Sequence, residues 1–242
     1  MPRGQPDFGI YAETPVASGI SDPGEAAARL SSINVYDRRG WTVWQDDFEA
    51  PVLKWVEQSS MGGILPTLST ERAWMGVQSA YLSTPAVDDE WAALILPFPL
   101  LRLGRVGMEF FLYLSNKTPG FFEARLLIHD GTNLSIAQLD LDRELRTARM
   151  RTATGDVEVA TKCFNTPLYN IWVPIKLVVD MDTDRYTRLL IGPTEIDLSA
   201  YALVGGAPSD YRFLQVDLRL RGTDQGTQYA YLDNFILTQN EP

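Results

Sequence analysis

The stretch RFLQVDLRL, residues 212–220, alternates without a break. Leu214, Val216, Leu218 and Leu220 fall on one side of an extended chain, and Gln215, Asp217 and Arg219 fall on the other. Successive side chains of a strand point to opposite faces, so a period of two predicts a strand with one face buried and one wet. FEARLLIHD, residues 122–130, repeats the pattern, with Phe122, Ala124, Leu126 and Ile128 opposite Glu123, Arg125 and His129. RVGMEFFLYLS, WAALILPF, LSIAQLDL, VPIKLVVDM, RYTRLLIG and YAYLDNFILT read as further strands. They are punctuated by Asp130-Gly131, Asp182-Thr183-Asp184, Gly192-Pro193 and Gly205-Gly206, which are turn sequences. No long helical periodicity competes. The expected fold is all-β: two antiparallel sheets packed as a jelly-roll sandwich over residues 46–242.

Residues 1–45 read differently, as an extended arm. Pro and Gly dominate its first half, and SDPGEAAARLSS then carries one helix-start signal. Asp22 is placed to cap, Pro23 to open the first turn and Glu25 to close a capping box, so a short helix is expected over about 22–31. Phe8, Ile10, Tyr11, Val16 and Ile20 are spaced like anchors along this arm, and Trp41 and Trp44 flank its junction with the sandwich. The arm carries almost no net charge. It is expected to lay onto protein subunits of the same or a larger assembly. The opening residues lack the basic start and apolar run of a secretory signal.

Composition removes several function classes. Twenty-one basic against 31 acidic side chains leave a net charge of −10, which disfavours nucleic acid. No apolar run approaches the roughly 18 residues of a membrane span. Cys163 and His129 are single, so no multi-ligand zinc site or intrachain disulfide can be built from them. No strand carries the paired carboxylates of a retaining glycosidase. Glu109 interrupts an apolar strand and is expected to face solvent. Asp140 belongs to LDLDRE, with Asp142 and Glu144 assigned to the turn that follows. The expectation is a protein that is not an enzyme and needs no cofactor.

WQDDFEA (44–50) and YLDNFILTQ (231–239), at the two ends of the β region, resemble the first and last strands of concanavalin A-like and carbohydrate-binding-module jelly rolls. WVPIKLVVDMDTDRYTRLLIGPTEIDLSAY (172–201) is similar to the Trp-strand-hairpin-Tyr pattern of laminin-G-like and lectin-like sandwiches. The resemblance implies one of two roles for Asp233. It ligates a structural calcium together with Asp46, Asp47 and Glu49, or it bonds only to nearby backbone. It also implies sugar stacking on exposed aromatics, for which Tyr169, Tyr186, Tyr211 and Tyr229 near strand ends are the candidates. Trp55, Trp74, Trp91 and Trp172 are assigned to packing. A jelly roll behind an extended arm further resembles virion proteins of tailed phages, assembled in the host cytoplasm. The leading expectation is therefore a capsid decoration or minor virion protein that docks through its arm. A lectin-like glycan-binding module is the alternative.

Overall fold

In a computed structural model, the described residues are 36, 37, 39–99, 104–114, 121–142, 146–163 and 171–242. The arm anchors Phe8 to Ile20 and the expected helix lie outside them. Sixteen strands run in chain order among the described residues. The first eight are β1 (Trp41–Asp46), β2 (Val56–Ser59), β3 (Thr67–Ser69), β4 (Ser79–Thr84), β5 (Trp91–Pro99), β6 (Arg105–Leu114), β7 (Phe121–Asp130) and β8 (Leu134–Asp142). They are followed by β9 (Thr147–Thr152), β10 (Gly155–Thr161), β11 (Trp172–Asp180), β12 (Arg185–Ile191), β13 (Thr194–Asp197), β14 (Val204–Gly205), β15 (Arg212–Arg221) and β16 (Gln228–Gln239). β1 begins at Trp41, inside the stretch read as arm, because its backbone pairs with the C-terminal half of β16.

Two eight-stranded antiparallel sheets result. The first runs β13-β12-β11-β6-β16-β4-β3, with β1 also on β16, and the second runs β10-β9-β8-β7-β15-β5-β2, with β14 on β8. Leu214, Val216, Leu218 and Leu220 are buried in the core between the sheets, as their alternation predicts. They meet Phe122, Ala124, Leu126 and Ile128 of β7 there, together with Met108, Phe110 and Leu112 of β6 from the opposite sheet. Burying a side chain of this size contributes about 1.5–3 kcal/mol, so a core of this extent dominates the stability.

β16 is irregular at one point. Its register on β6 shifts between Asp233 and Ile236, and Asn234 has a φ of 47°. Asparagine enters this left-handed region more easily than most residues. The bulge changes the facing of the strand, so Leu232 and Phe235 both reach the core although they are three apart.

Candidate functional site

Each sheet has an outer face, and the two faces differ. On the first sheet the residues that alternate with the core are aromatic. Tyr81 (β4), Tyr231 (β16), Tyr113 (β6) and Trp172 (β11) occupy one cross-strand row. Successive ring centroids along that row lie 5.0, 5.7 and 5.6 Å apart. Tyr229 joins the end of it, 6.3 Å from Tyr81 and 6.0 Å from Tyr231. The segment between β3 and β4 lies across the middle. Trp74 stacks on Phe111 at 4.8 Å, Arg72 sits over the Tyr113 ring at 4.8 Å, and Glu71 accepts a 2.9 Å hydrogen bond from Tyr231 Oη. Tyr113 and Tyr231 are buried, while Tyr81, Tyr229 and Trp172 are half-buried. Burial pushes the Tyr113 hydroxyl up in pKa, with Tyr229 and Glu71 adding to the shift and Arg72 opposing it.

Beside this row, on the same face, the expectation for Glu109 fails. Its side chain is fully buried. Tyr36 and Asp37 lie against it, and its carboxylate accepts hydrogen bonds from Tyr36 N at 2.6 Å and Asp37 N at 3.1 Å. Across the strand pair stands Lys176, also fully buried, whose ammonium lies 2.7 Å from Glu241, 3.1 Å from Asp37 and 3.8 Å from Glu109. Arg188 bonds Glu241 and donates to the Pro242 carbonyl at 2.7 Å. A charge is buried on this face because it is paired, the one circumstance in which burial is tolerated. The cluster is closed over by its own chain and works as a clasp.

The outer face of the second sheet carries a band of charge. Arg219, Glu123, Asp140 and Arg149 form one cross-strand row over β15, β7, β8 and β9. Asp217, Arg125, Gln138 and Arg151 form the next. Arg125 bonds Asp217, which also accepts from Arg219 Nη2 at 3.0 Å. Arg221 Nε lies 3.1 Å from Glu123, and Gln138 donates to Asp140 at 2.8 Å. The Arg219 guanidinium lies over the half-buried Trp91 ring, 4.1 Å from its centroid. Burial pushes Asp140 up to about 6, against the Gln138 bond and with help from Glu123 and Asp156.

This band is incompletely satisfied. Arg125 Nε, Arg219 Nε, Glu123 Oε2 and Asp217 Oδ1 are buried and have no hydrogen-bond partner among the described residues. Arg219 Nε and Glu123 Oε2 stand 4.0 Å apart, an ion pair with no hydrogen bond joining it. Most buried polar atoms in folded proteins are hydrogen-bonded, so several orphans in one place set this face apart. The orphans include donors and acceptors together. Below the band, Tyr186 of β12 crosses the core from the other sheet. Its Oη accepts from Gln138 N at 2.8 Å and donates to the Arg151 carbonyl at 2.7 Å, which holds β8 and β9 in place under the site.

The residues expected from sequence fall in separate places. Tyr186 is 1% exposed and packs in the core, because its strand turns it inward to reach that backbone, so it is no stacking platform. Tyr211 is 71% exposed, close to Phe213 at the start of β15. Tyr229 is on the aromatic row, and Tyr169 lies outside the described residues. Trp55 packs in the core as expected. Trp74, Trp91 and Trp172 do not: all three stand on outer faces and keep part of their rings exposed. Trp44 packs edge-on against Trp55 and lies 5.8 Å from Phe235, whereas Trp41 is exposed. Asp142 is the last residue of β8 and pairs with Thr147, so it lies on the strand and not in the turn. Missed from sequence were Glu123, Arg125, Gln138, Asp140, Asp217 and Arg219 as a group, although their alternation had already placed several of them on a wet face.

The four carboxylates considered for calcium are all engaged by donors. Asp46 accepts from Lys54, Trp55 Nε1 and Phe48 N, each at 3.1 Å. Asp47 accepts from Glu49 N at 3.2 Å, and Glu49 from Val77 N at 2.9 Å and Gln78 N at 3.0 Å. Asp233 accepts from Trp74 N at 2.7 Å, Met75 N at 3.2 Å and Asn234 N at 2.8 Å. Among the described residues no group of three or more His, Cys, Asp or Glu is arranged to hold a metal ion.

No protein-family model matches this sequence, and no curated protein does. Solved structures do. Arcelin-5, a lectin-like defence protein from Phaseolus vulgaris, is 9% identical with a TM-score of 0.51, over 82% of this chain and 98% of its own. The cellulose induced protein Cip1 is 11% identical with a TM-score of 0.50, over 81% of this chain and 96% of its own. The shared fold is the two-sheet β-sandwich. At such identities the likeness speaks for fold alone, and any function has to be argued from the chain's own two outer faces. Among the described residues no helix is long and apolar enough to cross a membrane.

Proposed function

We propose that the chain is a non-enzymatic glycan-binding module whose ligand lies on the outer face of the second sheet. One observation carries this reading: partly exposed donors (the guanidinium groups of Arg125 and Arg219) and the acceptors beside them (the carboxylates of Glu123 and Asp217) lie together on a sheet face next to half-buried Trp91. A ligand that satisfies both kinds must itself donate and accept within a few ångströms. A sugar hydroxyl does so, and a simple carboxylate or ammonium ion does not. Trp91 supplies the apolar surface that the carbon face of a sugar ring needs. The lectin-like fold supports this alternative over the virion reading, which neither structural relative favours.

The test is affinity electrophoresis through gels containing soluble β-glucan, xylan or galactan. At least one should retard the wild-type chain. Arg125→Ala should lose that retardation by tenfold or more in affinity and still melt cooperatively, since Arg219 continues to pair with Asp217. A wild-type chain that no polysaccharide retards, or an Arg125→Ala variant that binds unchanged, would remove the proposal.

A further inference from the structure

β15 lines the outer face of the second sheet along its whole length. Phe213, Gln215, Asp217, Arg219 and Arg221 alternate with the core residues Leu214, Val216, Leu218 and Leu220, so all five point outward. At one end Arg221 pairs across the sheet with Trp91 of β5. At the other end Phe213 pairs with His129 of β7, and the two rings stack 4.2 Å apart, 18° from parallel. His129 Nδ1 lies 2.7 Å from Ser209 Oγ, which holds the imidazole in that plane. Tyr211 stands beside Phe213, with ring centroids 6.3 Å apart. Phe213 and His129 are half-buried and Tyr211 is exposed, so a ligand in solution can touch all three. Between the two ends, Gln215 and its partner Leu127 are half-buried on the same face.

We propose that this face binds a neutral, linear glycan laid along β15, from Trp91 at one end to a platform of Tyr211, Phe213 and His129 at the other. The ligand class rests on the glycan-binding reading, to which the length, the direction and the second platform are additional. Eight positions separate Phe213 from Arg221, a span of roughly 27 Å at about 3.4 Å per residue, against about 5 Å for one β-1,4-linked sugar unit. Five or six units therefore reach from one aromatic end to the other. Three units reach only from Trp91 to the row of Arg125 and Asp217. Aromatic rings at the ends meet the carbon faces of sugar units, and Gln215 and the charged side chains between them exchange hydrogen bonds with hydroxyls. The ligand is neutral because the arginines along this path are already paired: Arg125 and Arg219 bond Asp217, and Arg221 meets Glu123. Such a face lacks the one-sided positive field that draws in a polyanion.

The experiment is titration calorimetry of the full chain with trioses and hexaoses of β-1,4-linked glucose, xylose and galactose, and with hexagalacturonate, alongside melting curves. In the series that binds, each chain should take up one hexaose, at least tenfold more tightly than the triose. Tyr211→Ala should lower hexaose affinity fivefold or more and keep the wild-type melting temperature, because Tyr211 is exposed. A hexaose bound no more tightly than the triose, with both lost in Arg125→Ala, overturns the extended site and leaves the glycan-binding reading standing. Hexaose affinity unchanged in Tyr211→Ala has the same meaning. Two hexaoses per chain would show two separate sites and overturn the single path. Hexagalacturonate bound more tightly than every neutral hexaose overturns the neutral ligand. No heat with any of these sugars overturns both readings.

Discussion

Among the described residues, three carboxyls are pushed up into the range where the fold responds to neutral pH. Burial pushes Glu109 up to about 7 against the attraction of Lys176, and Asp140 up to about 6. It pushes Asp233 up to about 7 against hydrogen bonds from Met75, Trp74 and Asn234. Each binds its proton more tightly folded than unfolded. The stability it contributes is complete below the ordinary carboxylate range and is lost as pH rises through 6 to 7. Melting temperature should therefore fall between pH 5 and pH 8. Asp140→Asn cannot ionise, and at pH 8 it should be stabilised by roughly 1–2 kcal/mol, allowing for partial solvent screening. Melting curves at the two pH values check this, and an Asp140→Asn variant with the wild-type slope would count against it. None of this was legible in the sequence at the level of single residues. Glu109 breaks an apolar run as a solvent-facing residue would, and only its bonds to Tyr36 and Asp37 reveal why it is buried.

Whole strands were more readable than their faces. β15 and β7 alternate apolar with polar, and the structure follows the alternation residue by residue. β6 and β16 are apolar on both sides: Phe110 and Leu112 go to the core, while Phe111, Tyr113, Tyr229 and Tyr231 go to the outer face. A period of two cannot say which of two apolar faces is the core one. That is why the aromatic row escaped notice while the strands carrying it did not. The charged band was half legible, since Glu123, Arg125, Asp217 and Arg219 were assigned to wet faces. Their meeting depends on β15 pairing with β7, a contact between distant parts of the chain. β6 makes a further prediction. A methyl group at Gly107 would stand 2.6 Å from Thr238 Oγ1, 3.0 Å from Glu241 Oε1 and 3.1 Å from Lys176 Cε. Gly107→Ala should push against the clasp and cost about 1–3 kcal/mol, measurable by urea unfolding. An unchanged midpoint would show that the clasp yields freely.

Across the whole molecule, the Lys176 ammonium joins residues that are far apart in sequence. Asp37 reaches it from ahead of β1, and Glu241 from beyond β16. Lys176→Met would leave the carboxylates of Glu109, Asp37 and Glu241 gathered around an apolar side chain, with Arg188 still on Glu241 and Arg39 still on Asp37. Loss of one partner from a buried ion cluster costs about 3–5 kcal/mol, so the variant should unfold at clearly lower urea. Retention of the wild-type midpoint would mean water replaces the ammonium there. The clasp also has a mechanical meaning. β1 and β16 are antiparallel, and Trp41 is paired with Gln239, so the entry to one strand and the exit from the other lie side by side. Tension applied to residues 36 and 242 would not shear the sandwich along its strands. It would first load the ionic rivet at Lys176, and once that gave way it would unzip β1 from β16 one hydrogen bond at a time.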